Sequence, residues 1–241
     1  MTEIVSAARS MVGSPGGLSL RSVAQKVGMT APALYRYVES GEDLTLHVAA
    51  EVYDDLVGSL MAARDRQGDE PDARLVASSV AFRQWALAHR EEFALTFANP
   101  ITSSDLHDGG DGVCAAAGSR FGGFFGELFV QWWQVKQFAV PSVEELGAIA
   151  GDLGQQESGP STELEGKVQG VDLPPGLSWI FLRQWSKLYG TVTLEAFEHV
   201  DAAIVESAAL FRDTLRDVGR EVEMDFASDR LQAVIQSELA R

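Results

Sequence analysis

With 241 residues, 46% hydrophobic and 22% charged, the chain has the composition of a folded globular protein, which excludes wholesale disorder. No apolar run reaches the roughly 20 residues needed to span a bilayer, and Met1-Thr2-Glu3 lacks the basic-then-apolar start of a signal peptide, so a cytoplasmic protein without membrane association is expected. One cysteine, Cys114, and four scattered histidines form neither a disulfide nor a metal-ligand pattern, so no metal and no cofactor are expected. The net charge of −16 is unevenly spread. Residues 1–50 set Arg9, Arg21, Lys26 and Arg36 against Glu3, Glu39, Glu42 and Asp43, so the excess of acid falls after residue 50. Charges more than about 10 Å apart are largely screened at moderate salt, so a neutral head on an acidic body remains compatible with a polyanionic partner.

Apolar residues recur with helical rather than strand period, and an all-α fold is expected. The first helix runs from Thr2 to about Val12, with Ile4, Ala7, Ala8 and Met11 on one face, and Ser14-Pro15-Gly16-Gly17 ends it. A short helix opens at Leu18–Arg21, where Ser19 caps free backbone amides and Leu20, Val23, Ala24 and Val27 form the inner face. Gly28 makes the turn. Thr30 caps a third helix, Ala31–Val38, with Pro32 in its first turn, where the missing N–H costs little. Ser40-Gly41-Glu42-Asp43 then starts a long fourth helix in which Leu44, Val48, Val52, Leu56 and Leu60 repeat every four residues. It fades near residues 67–71.

Beyond that break, helices are expected over Asp72–Ala88 and Arg90–Ala98, then a polar, glycine-rich stretch over residues 101–119, with Asp105, Asp108 and Asp111, that is either a loop or a weakly ordered start to the next helix. An aromatic helix follows from Phe121 to Gln137, and another over Ser142–Ala150. Residues 151–176 lack periodicity and read as a flexible connection. Two strong helices, Ser178–Val200 and Asp201 to about Gly219, precede a last one carrying Leu231, Val234, Ile235 and Leu239.

Two capped helices joined by a glycine turn over residues 19–38 have the spacing of a helix-turn-helix. Leu34 and Val38 are its inward positions. The remaining surface carries Thr30, Ala31, Pro32, Ala33, Tyr35, Arg36 and Tyr37. Small residues allow a helix end to approach base edges, while hydroxyls, guanidinium and free amides suit phosphate oxygens. The string Leu18-Ser19-Leu20-Arg21-Ser22-Val23-Ala24-Gln25-Lys26-Val27-Gly28-Met29-Thr30-Ala31-Pro32-Ala33-Leu34-Tyr35-Arg36-Tyr37-Val38, followed by Ser40 and Leu44, resembles the DNA-binding head of the tetracycline-repressor family of transcriptional regulators. The resemblance implies that Ala31, Pro32, Ala33 and Tyr35 lie nearest the bases of double-stranded DNA. It implies that Ser19, Thr30, Arg36 and Tyr37 face the sugar-phosphate backbone. Where the family often has a phosphate-binding lysine the chain has Gly41, which leaves only its backbone N–H free to bond a phosphate, and the basic arm common before the first helix is missing.

The remainder is similar, less closely, to one C-terminal subtype of that family, through Phe82-Arg83-Gln84-Trp85-Ala86-Leu87-Ala88-His89 with Phe93 and Phe97, and through Trp185-Ser186-Lys187-Leu188-Tyr189-Gly190 followed by Leu194-Glu195. The subtype usually has histidine where this chain has Tyr189. The architecture expected is an N-terminal three-helix helix-turn-helix domain (1–45), joined by the long fourth helix to a larger helical ligand-binding and dimerisation domain (46–241). Phe93, Phe97, Phe121, Phe124, Phe125, Phe129, Trp132 and Trp133 are the candidates to line a pocket for a small hydrophobic ligand, with a solid aromatic core as the alternative. Two apolar stripes, Phe181, Trp185, Leu188 and Val192, and Ile204, Ala208, Phe211, Leu215 and Val218, are the expected homodimer surface. No nucleophile–base arrangement, phosphate loop or paired acids point to an enzyme. The expected function is a dimeric repressor of a near-palindromic operator, released by a hydrophobic ligand; the alternative is a DNA-binding regulator, activating or constitutively repressing, that takes no ligand.

Overall fold

The structure, a computed structural model, describes residues 1–14, 17–102, 112–150, 167–168, 171–172 and 174–241. Twelve helices and one two-stranded antiparallel ladder are found among the described residues. In chain order they are α1 (Thr2–Arg9), α2 (Leu20–Lys26), α3 (Ala31–Leu34), α4 (Gly41–Asp65), α5 (Pro71–Ala88), α6 (Arg90–Phe97), α7 (Val113–Lys136) and α8 (Val143–Ala150). The strands β1 (Lys167–Val168) and β2 (Val171–Asp172) follow, then α9 (Pro175–Ala196), α10 (Ala202–Ser207), α11 (Ala209–Glu221) and α12 (Asp229–Leu239). No helix among the described residues is long and apolar enough to cross a membrane. The chain divides into two compact units, one made of Met1–Gly58 with Ala88–Phe121 and the other of Ser59–Leu87 with Gly122–Arg241.

In the first unit α1 buries Ile4, Val5 and Ala8, and its regular helix stops at Arg9 in a series of turns rather than reaching Val12. Arg9 closes this unit: its Nε and Nη2 donate to the two oxygens of Glu92 at 2.7 and 2.9 Å, and Nη2 also reaches Asp55 at 3.0 Å. The Glu92 hydrogen bond holds the guanidinium more firmly protonated than usual, against the opposing effect of partial burial. Gly28, between α2 and α3, has φ +70°, in the left-handed region where a Cβ is strained. The four-residue repeat of α4 is realised, with Leu44, Val48, Val52 and Leu56 fully buried. Tyr53, Phe97 and Phe121 meet edge-on or tilted at 5.3 to 5.7 Å, and Phe93 stacks on Phe97 at 4.8 Å.

The second unit is built on α5, the later part of α7, and α9–α12. Phe82, Leu177, Phe211 and Leu231 are fully buried there. Of the two readings of 101–119, the start of the next helix holds for its later part: α7 begins at Val113, where Cys114, Ala115 and Ala117 pack inward and small residues cost a helix little, while Ile101 and Thr102 are also helical and residues 103–111, with Asp105, Asp108 and Asp111, lie outside the described residues. One sequence expectation changes. The expected helix from Asp201 to Gly219 is two helices, broken at Ala208, whose φ is +52°. Ala208 is buried at the break, and Ser207-Ala208-Ala209 contains no residue that ordinarily ends a helix. Helix α9 opens at Pro175, a residue suited to the first helical position, slightly before the expected Ser178. The connection expected over 151–176 lies largely outside the described residues.

Candidate functional site

Three helices arrange the N-terminal surface, and the starts of α2 and α3 are capped as the residue types require. Ser19 Oγ accepts from the Ser22 amide at 3.2 Å, and Thr30 Oγ1 accepts from the Ala33 amide at 3.4 Å. Val23, Ala24, Leu34 and Val38 are buried between the helices. That burial fixes what α3 shows outward. Tyr35 is 56% and Tyr37 51% exposed, unusual for large rings, and Arg36, Pro32 and Thr30 are also exposed, with Ala31 and Ala33 half-buried. Helix α3 proper is one turn, Ala31–Leu34, continued by hydrogen-bonded turns through Val38, so Tyr35, Arg36 and Tyr37 stand on turns rather than on the expected longer helix.

At the start of α4, Ser40 Oγ accepts from the Asp43 amide at 3.0 Å, and Asp43 accepts from the Glu39 amide at 2.8 Å. Gly41 is exposed beside this cap. The cap consumes one of the four acids of the head, as the Glu92 and Asp55 contacts consume Arg9. Arg21 and Arg36 are exposed and have no acidic partner among the described residues, whereas Lys26 donates to Ser10. Arg21, two residues after the Ser19 cap, belongs with the candidate interface. Its signal in the sequence was its place in the first turn of α2.

The candidate pocket residues fall into separate clusters. Phe93, Phe97 and Phe121 pack with Tyr53 in the first unit. In the second, Phe125 lies 5.5 Å from Phe124, 6.2 Å from Phe82 and 5.4 Å from Trp185, and Trp185 stacks on Tyr189 at 5.9 Å. Phe129 meets Phe138 and Phe181 at 5.7 and 5.4 Å. Trp132 Nε1 donates to the Val222 carbonyl at 2.8 Å, and Trp133 Nε1 to that of Phe138 at 3.3 Å. The rings therefore contact one another and their indole donors are satisfied. Tyr189, at the position of the subtype's histidine, belongs to this stack.

Of the residues expected at a dimer surface, Leu188, Val192, Ala208, Phe211 and Leu215 are buried within the single chain. Phe181, Trp185 and Val218 are half-buried, and Ile204 is 39% exposed. The two stripes turn inward because α9 and α11 pack on each other within the chain, joined by a Thr191–Thr214 hydroxyl contact of 2.8 Å and by Lys187 and Gln184 donating to Glu221, both at 2.6 Å.

Sequence reasoning did not find the charged centre of the second unit. Arg83, 3% exposed, donates from Nε to Oε2 of fully buried Glu195 at 2.5 Å. Its Nη2 reaches the Val205 carbonyl, its Nη1 reaches Gln84 Oε1 at 3.1 Å, and its guanidinium lies over the Phe211 ring at 5.4 Å. Burial pushes the Glu195 carboxyl up, against the pull of Arg83. These two residues stand in the two strings that carried the resemblance, 112 positions apart. Only folding shows that they meet.

Comparison with known proteins places this geometry. The family model described as "Tetracyclin repressor-like, C-terminal domain" matches residues 75–218. The HTH-type transcriptional regulators Mb1846 of Mycobacterium bovis and Rv1816 of Mycobacterium tuberculosis are each 33% identical over 110 residues, 45% of this chain and 46% of theirs. The matched part thus spans under half the length of these curated relatives. Among solved structures, the protein SCO4313 superposes with a TM-score of 0.57 at 21% identity, covering 90% of this chain and 93% of its own. A Rhodococcus sp. RHA1 protein of unknown function gives 0.58 at 20% identity, covering 88% and 90%. At these identities the likeness is one of fold. The family match over most of the helical body, which follows a three-helix head in the sequence, establishes that the chain belongs to the tetracycline-repressor-like family of transcriptional regulators.

Proposed function

We propose that the protein is a homodimeric repressor that reads a near-palindromic operator with α3 and is released by a small hydrophobic ligand. The observation that carries the DNA reading is the outward display of Tyr35, Arg36 and Tyr37 beside the capped start of α3, while Leu34 and Val38 lock the unit from within. In this docking Ala31, Pro32, Ala33 and Tyr35 approach base edges. Ser19, Arg21, Thr30, Arg36, Tyr37 and the Gly41 amide hold phosphates. Two such heads bind half-sites about one helical turn apart. Few unpaired cations per head make non-specific binding weak. The second chain meets the first through what α9 and α10 leave exposed, including Leu194 and Ile204.

Ligand release requires a ligand that prefers the non-binding conformation, since it shifts the equilibrium only by its difference in affinity for the two states. The concentration of aromatic residues on α6 and α7 supports such a ligand. The mutual packing of those rings favours a second reading, a DNA-binding regulator with a solid aromatic core and no ligand. Selection of bound duplexes from a random pool tests the DNA reading: a two-fold-symmetric consensus bound by wild type and lost by Tyr37→Ala is expected. Hydrophobic small molecules that quench tryptophan emission and weaken operator binding over one concentration range separate the ligand-released from the ligand-free regulator.

A further inference from the structure

The family match ends at residue 218, and the chain continues into α12, which is fastened to the second unit at both ends. Arg230 makes a bidentate pair with Asp72 at the start of α5, and buried Glu238 accepts from Arg66 and from Gln67. Between α12, the end of α5 and the break at Ala208 lies a cleft of about 510 Å³. We propose that this cleft binds a small organic carboxylate, with Arg212 as the group that receives it.

The volume falls within the roughly 300–1,000 Å³ of small-molecule sites. Leu87, Val205 and Leu239 give it apolar walls, and Arg212 and Gln236 give it donors, while the Ser207 hydroxyl is spent on the Ala203 carbonyl. The cation is the informative part. The chain has 35 acidic residues against 19 basic ones, and the arginines that tie this fold together each meet a carboxylate: Arg83 meets Glu195, Arg66 meets Glu238, Arg230 meets Asp72 and Arg9 meets Glu92. Arg212 is half-buried in the cleft wall and has no acidic partner among the described residues. Its Nη2 donates to a neutral amide oxygen, that of Gln236, at 2.8 Å. A partly desolvated cation without a counter-charge is costly, and a planar carboxylate matches the guanidinium fork. Glu206 also lines the cleft, which favours a singly charged acid over a phosphate dianion and a ligand with apolar bulk for the opposite wall. Arg83 does not compete for the ligand, because its charge is met by buried Glu195 and three of its five N–H donors go to Glu195, Gln84 and Val205. The site lies apart from the aromatic clusters and requires neither DNA binding nor ligand release.

The test is calorimetric titration of the full-length protein with 4-phenylbutyrate and, separately, with its neutral amide. Saturable binding of the acid, about tenfold or more tighter than the amide, is expected from one charge-assisted hydrogen-bond pair. Arg212→Met abolishes that preference while circular dichroism and sedimentation stay as in wild type, and Glu206→Gln strengthens acid binding. No saturable binding at millimolar concentration, equal binding of acid and amide, or an unchanged preference in Arg212→Met overturns the proposal. So does dissociation of a dimer by Arg212→Met, which assigns the missing counter-charge to a second chain. The acid-to-amide comparison on wild type decides the matter even if a variant fails to fold.

Discussion

Replacing Glu195 by Leu removes the only carboxylate that meets Arg83 among the described residues and leaves a guanidinium that is 3% exposed without a counter-charge. The Val205 carbonyl, Gln84 and the Phe211 face remain, but none carries a negative charge. Breaking a buried pair in this way costs about 3–5 kcal/mol. For a chain of this size each kcal/mol moves the melting temperature by about 2–4 °C, so a fall of about 6–20 °C is expected. Glu195→Gln is expected to be milder, because its amide oxygen still accepts from Nε and burial already disfavours the ionised carboxyl. The double variant Arg83→Met/Glu195→Leu removes both charges and is expected to recover most of the loss. Urea unfolding followed by tryptophan emission is suitable, since all five tryptophans belong to the second unit. A Glu195→Leu protein within about 1 kcal/mol of wild type, or a double variant as unstable as the sum of its singles, refutes the reasoning.

Arg36→Ala in a docked dimer removes two phosphate contacts, so the slope of log affinity against log salt should become shallower by about 1.8, with the preferred sequence unchanged; fluorescence anisotropy at several salt concentrations measures it. Gly28→Val places a β-branched side chain at φ +70° in a position open to solvent, so its cost is backbone strain of about 1–3 kcal/mol, seen as lost amide protection in α2 and α3, whereas Gly28→Asn is tolerated better. Partial burial raises the Glu221 carboxyl, but hydrogen bonds from Lys187 and Gln184 outweigh it and hold the group below its ordinary value. Its stabilisation is therefore present at neutral pH and lost as pH falls through the depressed value, and Glu221→Gln should flatten that acid limb of the stability profile.

Local chemistry made the head legible. Ser19 and Thr30 cap because their hydroxyls reach amides two or three residues away, Gly28 turns because it has no Cβ, and Leu34 and Val38 point inward because of helical period. Each of these depends on neighbours within a few residues, as does the four-residue stripe of α4. Where tertiary partners set the outcome, the sequence was silent or misleading. The break at Ala208 has no local signal, and the apolar stripes of α9 and α11 looked like a face for a second chain although most of their residues are buried within the first. An apolar stripe records that a face is covered, not by which chain. Likewise an aromatic cluster records burial but does not distinguish rings that line a space from rings that fill it. Arg83 and Glu195, 112 residues apart, and Arg9 and Glu92, 83 apart, are charged residues of the kind that ordinarily lie in solvent. Only the long-range path of the chain, which removes them from water together, makes them structural.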